Sequence, residues 1–205
     1  RAESEAAAAA EPFAPIGAEP REGALARVYV VRHAQAWKNV PVARRPPGMG
    51  AAELDALTDR GRARAAAVGR TRQTAAIIAG QLGVSESEVS DAFQPLQHGA
   101  SRDAASYRWR IQNWKRGEDP RPDDGESLGD GLARAAAFLD AVAAQAPGTT
   151  LVVVTHGEIT AALLSRAAGI SPVEGYDRFF VGEGTISALA IHEDGWELLA
   201  RGVEP

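Results

Sequence analysis

Two residues able to do chemistry, Arg32 and His33, close the apolar run Val28-Tyr29-Val30-Val31. Such a β-branched and aromatic run reads as a strand buried on both faces. In open α/β sheets the carboxyl end of such a strand is where ligands bind. Arginine's planar fork matches the oxygens of a phosphoryl group. A neutral imidazole offers a ring lone pair at neutral pH without a separate base, so His33 is a candidate covalent nucleophile. A second run of the same kind, within Thr150 to Glu158, ends at His156, a candidate donor to the same oxygens. Asn39, in the stretch after His33, is a further candidate. Donors preset around one developing charge would stabilise a phosphoryl-transfer transition state.

The elements that must position these residues follow from periodicity. After His156, Ile159, Leu163 and Leu164 stand at helical spacing, with Gly169 as a C-cap. Both runs therefore read strand, histidine, helix. The pattern predicts a three-layer α/β domain: a mainly parallel central sheet flanked by helices, with both histidines at one sheet edge. Glu126 to Gly148 predicts a helix with Leu132, Ala136, Leu139 and Val142 on one stripe, stopped by Pro147-Gly148. Gly184–His192 and Trp196–Gly202 predict a hairpin turning at Glu193-Asp194-Gly195. Leu57 to Gly83 reads from pattern alone as one helix capped by Thr58. Residues 1–23, rich in Ala, Glu and Pro, read as a flexible or surface-wrapped tail, and 24–205 as the domain.

The bulk composition narrows the function classes. With 205 residues, 45% hydrophobic and 24% charged, the chain is an ordinary globular domain with one sizeable core. A net charge of −5 argues against nucleic acid or an anionic membrane as the main partner. The sequence holds no cysteine, which excludes disulfides and thiolate chemistry. The compartment stays open on these grounds; the expectation is cytoplasmic, with periplasmic or secreted as the alternative because the sequence starts at Arg1 rather than Met.

With these residues in view, the chain resembles the histidine phosphatase superfamily, the fold of phosphoglycerate mutase and its phosphatase relatives. The matching segments are VVRHAQAWKN, LTDRG, RTRQTA, GES and VVVTHGE, in the family's order from Arg27 onward. The resemblance implies that His33 forms a phosphohistidine, that Arg32 and His156 bind the phosphoryl oxygens, and that Asn39 lines the same wall. It adds Arg70, in RTRQTA, as the second phosphate-binding arginine. No cofactor or metal is implied, and the expected partner is a small phosphorylated substrate.

Three departures stand out. Ala34 and Ala36 replace the Gly and Thr or Ser usual after the nucleophile, so a hydroxyl donor is lost. The family's acid, laid on Phe93 to Gly99, falls at Pro95, which cannot transfer a proton; Asp91, Asp103, Glu126 and Glu158 are the alternatives. Relatives carry a helix end, a loop and a strand between LTDRGRARAAAVG and RTRQTA, whereas here Gly69 meets Arg70 directly. Residues absent from the sequence at that join would leave the two α-carbons farther apart than ~3.8 Å.

Competing readings are weaker. GESLG matches a serine nucleophile elbow, but a polar proline-rich stretch precedes it where the elbow needs a strand, so Ser127 reads as a helix cap. His33, His156 and Glu158 could bind a metal, but the histidines lack common zinc spacing. Ser101 to Pro120 could stack nucleotides; Tyr107, Ile111 and Trp114 at helical spacing read instead as a helical insertion, from about Asp103 to Arg116, that roofs the site. Arg108 and Arg110 on it are candidates to meet an anionic substrate. The reading is a metal-independent phosphomonoester hydrolase, with a phosphoglycerate mutase-type transfer or a non-catalytic phospho-ligand binder as alternatives. The phenylalanine–glycine–tryptophan stretch usual in the mutases has no counterpart after the nucleophile.

Overall fold

The computed structural model describes residues 16–34, 44, 48–49, 70–83, 89–100 and 103–204, with Arg70, Leu82 and Ala104 described by their backbone only. Four strands form one sheet: β1 (Ala26–Arg32), β2 (Thr149–Thr155), β3 (Ile186–His192) and β4 (Gly195–Val203), in the order β2-β1-β3-β4. β1 and β2 run parallel, whereas β1–β3 and β3–β4 are antiparallel. The described sheet is therefore mixed, and the expectation of a mainly parallel one narrows to a single pair. The reason is connection length. The tight turn between β3 and β4 can join only antiparallel neighbours, while the long path from β1 to β2 permits a parallel pair.

The helices are α1 (Arg70–Leu82), α2 (Ala104–Trp114), α3 (Leu128–Gln145), α4 (Gly157–Ala167) and α5 (Pro172–Phe179), with a short 3-10 turn at Asp91–Phe93. Alternation along β1 sorts the layers. Val28 and Val30 join a core with Leu139, Ile159, Leu163 and Phe179 from α3, α4 and α5. Tyr29 and Val31 face the other way, with Ile78 of α1 and Ile16 packed against their cluster. The sheet thus lies between two covered faces, the three-layer arrangement expected. Residues 16–18 run beside β4, where Ala18 N–H donates to the Leu199 carbonyl at 3.2 Å.

Local chemistry sets the helix limits. Ser127 and Asp130 form a reciprocal capping box at the start of α3. At the end of α4, Gly169 adopts φ 72°, and the N–H groups of Gly169 and Ile170 return to the carbonyls of Arg166 and Ser165, both at 3.0 Å. That pair of bonds is a Schellman motif, which a β-carbon would strain. The buried side of α3 is Leu128, Gly131, Ala135, Ala136, Leu139 and Ala143. It is rotated from the expected stripe because small residues mark the close approach. A β-carbon on Gly131 would sit 2.4 Å from Leu96 and 2.9 Å from Ile159. Among the described residues no helix is long and apolar enough to cross a membrane.

The α4–α5 contact gives a test. A β-carbon at Gly175 would fall 1.9 Å from the Ser165 hydroxyl oxygen and 2.7 Å from its β-carbon. Gly175→Ala is expected to cost about 1–3 kcal/mol, read as a lower urea midpoint with an unchanged slope. An unaltered midpoint would contradict this packing.

Candidate active site

The parallel register pairs Arg32 with Thr155, so the next residues on each strand, His33 and His156, leave the sheet side by side. His33 N–H donates to the Thr155 carbonyl at 3.0 Å, and the two imidazole centroids lie 5.3 Å apart with planes tilted by 58°. Both rings are buried, 4% and 6% exposed. His33 Nδ1 is 2.9 Å from the Ala34 carbonyl oxygen. A carbonyl can only accept, so the proton sits on Nδ1 and the lone pair on Nε2. His156 is the extended N-cap of α4 and does not spend its ring on capping that helix. The positive end of the α4 dipole therefore opens beside the two rings.

Arg32 is clamped rather than loose. Its Nη1 donates to the Val181 carbonyl, its Nη2 lies 3.7 Å from Glu183 Oε1, and its guanidinium stacks 4.7 Å from the Phe180 ring centroid. Its Nε is buried and has no hydrogen-bond partner among the described residues. The same loop holds the strand end, since Gly184 N–H donates to the carbonyls of Arg32 (3.0 Å) and His33 (3.2 Å). At Gly157 a β-carbon would stand 2.8 Å from the Phe180 ring and 3.3 Å from the Arg32 guanidinium carbon, so a larger residue there would push on the clamp. From the other face, Ala34 N–H donates to Thr74 Oγ1 at 3.1 Å. That bond sets the first turns of α1, which Arg70 opens, against the His33 loop. The structure thus brings Arg32, His33 and His156 together and starts α1 beside them. The side chain of Arg70, Ala36, Asn39 and the Gly69–Arg70 join lie outside the described residues.

The alternative acids have other partners. Glu126 is gripped through both oxygens by Arg134, at 2.8 and 2.9 Å, and this hydrogen-bonding holds its carboxyl below the ordinary glutamate value. Asp103 caps α2, accepting the N–H groups of Ala105 and Ser106 at 2.8 Å. Those bonds hold its carboxyl down as well. Asp91 accepts from the Gln94 side chain. Glu158, in the first turn of α4, accepts the Tyr107 hydroxyl from the helical insertion. Among the described residues His33, His156 and Glu158 do not gather into a ligand cluster for a metal. Ser127 caps α3, as expected.

Sequence reasoning missed Thr74, Phe180 and Glu183. Thr74 stood inside the RTRQTA segment and could have been read with it, but nothing in FFVGEG signals a clamp made between distant stretches. Arg110, expected to meet substrate, is only 2% exposed and works inside the fold.

The contact of α2 with α4 has a pH signature. Burial, then the charge of Glu158, pushes the Tyr107 phenol far above its ordinary value, and burial pushes Tyr176 up to about 12. In the unfolded chain both ionise near pH ~10. Their contribution to stability is therefore full below that pH and is lost as pH rises from there toward the folded values. Unfolding free energy is expected to fall above pH ~10, with a shallower fall in Tyr107→Phe. A flat profile through that range would contradict the burial of these phenols.

Residues 67–204 match the family described as the histidine phosphatase superfamily, branch 1, a stretch that begins after β1. No curated protein matches the chain. Among solved structures, a mycobacterial hydrolase superimposes with a TM-score of 0.66 at 20% identity, covering 87% of this chain and 99% of that one. A mycobacterial glucosyl-3-phosphoglycerate phosphatase in complex with VO3 gives 0.67 at 19% identity, covering 87% and 99%. An alpha-ribazole phosphatase from Shigella flexneri gives 0.62 at 19% identity, covering 87% and 98%. From its match over residues 67–204, the chain belongs to the histidine phosphatase superfamily.

Proposed function

We propose that the protein is a metal-independent phosphomonoester hydrolase acting on a small phosphorylated substrate through a phosphohistidine on His33. The observation that carries this reading is the Nδ1 contact to the Ala34 carbonyl, which aims the imidazole lone pair from Nε2 beside Arg32 and His156. The two phosphatases among the structural neighbours support it.

In the first step the Nε2 lone pair forms a P–N bond while the P–O bond to the leaving group breaks, its electron pair staying on that oxygen. Arg32, His156, the N-terminal end of α4 and Arg70 hold the phosphoryl oxygens, with Asn39 on the same wall. Charge that spreads over those oxygens in the transition state meets donors already in place. In the second step water attacks phosphorus and the P–N bond breaks, returning the pair to Nε2. The proton that water gives up balances the one the leaving group takes up.

Hydrolysis of an activated aryl phosphate in the presence of chelator tests this reading. An activated leaving group needs little protonation, so the assay does not depend on a strong acid. Wild type is expected to turn over, His33→Ala to lose turnover, and His156→Ala to fall by about 10²–10³-fold. Undiminished hydrolysis in His33→Ala would exclude the phosphohistidine route.

A further inference from the structure

Two phenylalanines close α5, and their surroundings differ. Phe179 is buried and belongs to the core. Phe180 has left the helix, with φ −74° and ψ 104°, and is 36% exposed. A ring left partly in water gains less from burial than its neighbour. It nevertheless lies over the Arg32 guanidinium, 4.7 Å from ring centroid to Cζ. We propose that Phe180 is a positioning residue for Arg32, its ring face setting the plane in which the guanidinium meets the phosphoryl oxygens. The proposal rests on the reading of Arg32 and His33 given above.

The other contacts of Arg32 leave that plane open. The bond from Nη1 to the Val181 carbonyl fixes one nitrogen, and the group can still turn about that N–H···O line. Glu183 Oε1, 3.7 Å from Nη2, attracts the charge but stands beyond hydrogen-bond distance. A ring face does select a plane, because a flat cation lies against it with one face and keeps its edges for acceptors.

The ring is itself held. Phe180 tilts against the buried Tyr176 with centroids 5.3 Å apart, and Tyr176 packs on the buried Trp114 at 4.7 Å. Trp114 Nε1 donates to Asp119 Oδ1 at 3.2 Å. The same carboxylate accepts the N–H groups of Leu128 and Gly129, both at 2.8 Å, at the start of α3. Trp114, Tyr176 and Phe180 thus form a run of rings from the start of α3 to Arg32, at the spacing of ordinary aromatic pairs. Gly157 leaves room for the last ring, since a β-carbon there would fall 2.8 Å from it. A loosened Arg32 would keep the charge that draws substrate in, but would meet the transition-state oxygens out of line, where misplacement is costly. The role therefore belongs to turnover more than to binding.

The test uses the full chain with an activated aryl phosphate. Phe180→Leu, apolar and unable to offer a ring face, is expected to lower kcat by about 10–10²-fold with little change in KM. Phe180→Tyr, which keeps the ring, is expected to restore most of the loss. In an Arg32→Ala background, Phe180→Leu is expected to cost nothing more, because the two residues act as one unit. An unchanged kcat in Phe180→Leu, equal losses in the Leu and Tyr variants, or a full further loss on top of Arg32→Ala would overturn the proposal. Independently of activity, the NMR signal of the Arg32 Nε–H is expected to carry the upfield shift of a proton near a ring face, lost in Phe180→Leu and kept in Phe180→Tyr. A signal alike in all three proteins would overturn the clamp. A wild type inactive on every ester, or an active His33→Ala, would instead sink the reading of the site, and the arginine signal would still judge the clamp.

Discussion

Everything at the candidate site depends on the parallel register that sets Arg32 beside Thr155. Side chains alternate along a strand, so a slip of one residue would turn the histidine of one strand away from that of the other. Burial on both faces of β1 fixes the register. Val28 and Val30 belong to one core and Tyr29 and Val31 to the other, so a slip would exchange two packed faces at once. The geometry of the two histidines is thus held by hydrophobic packing well below it. The sheet needs no polar contact at the histidines to bring them together.

Two arginines near the site are managed in the same way. Arg32 bonds to the Val181 carbonyl and stacks on Phe180; Arg110 bonds to the Glu126 carbonyl and stacks on Trp114. Carbonyls and ring faces orient each guanidinium. The difference lies in the third contact. Arg32 approaches Glu183, a carboxylate at 3.7 Å, whereas Arg110 meets an imidazole nitrogen and fixes where that ring keeps its proton.

How much of this was legible in the sequence follows from how local each signal is. β1, β2 and the two histidines were readable because an apolar run ending in a polar residue is a contiguous pattern. The cap at Ser127 and the C-cap at Gly169 were readable for the same reason. The rotation of α3 was not, because Gly131 and Ala135 look like weak helix residues until Leu96 and Ile159 are seen against them. Nor was the use of Arg110. On a helical wheel it is a surface cation, and only the fold places the Glu126 carbonyl and His98 around it. The tyrosine at 107 was placed in an apolar stripe, and its hydroxyl contact with Glu158, 51 residues away, has no local trace.

The insertion helix is tied to the start of α4 by one side-chain hydrogen bond. Glu158 lies in the first turn of α4, where the helix dipole favours an anion, and it accepts the hydroxyl of Tyr107 from α2. In the proposed reaction, a carboxylate so close to the phosphoryl group would repel the substrate if it turned inward. The bond to Tyr107 gives it a partner on the roof instead, and the raised phenol value keeps that proton in place. The same α4 begins at His156, and α2 carries both Tyr107 and Arg110. A shift of α2 would therefore be felt at Glu158 and at the start of the helix that follows His156.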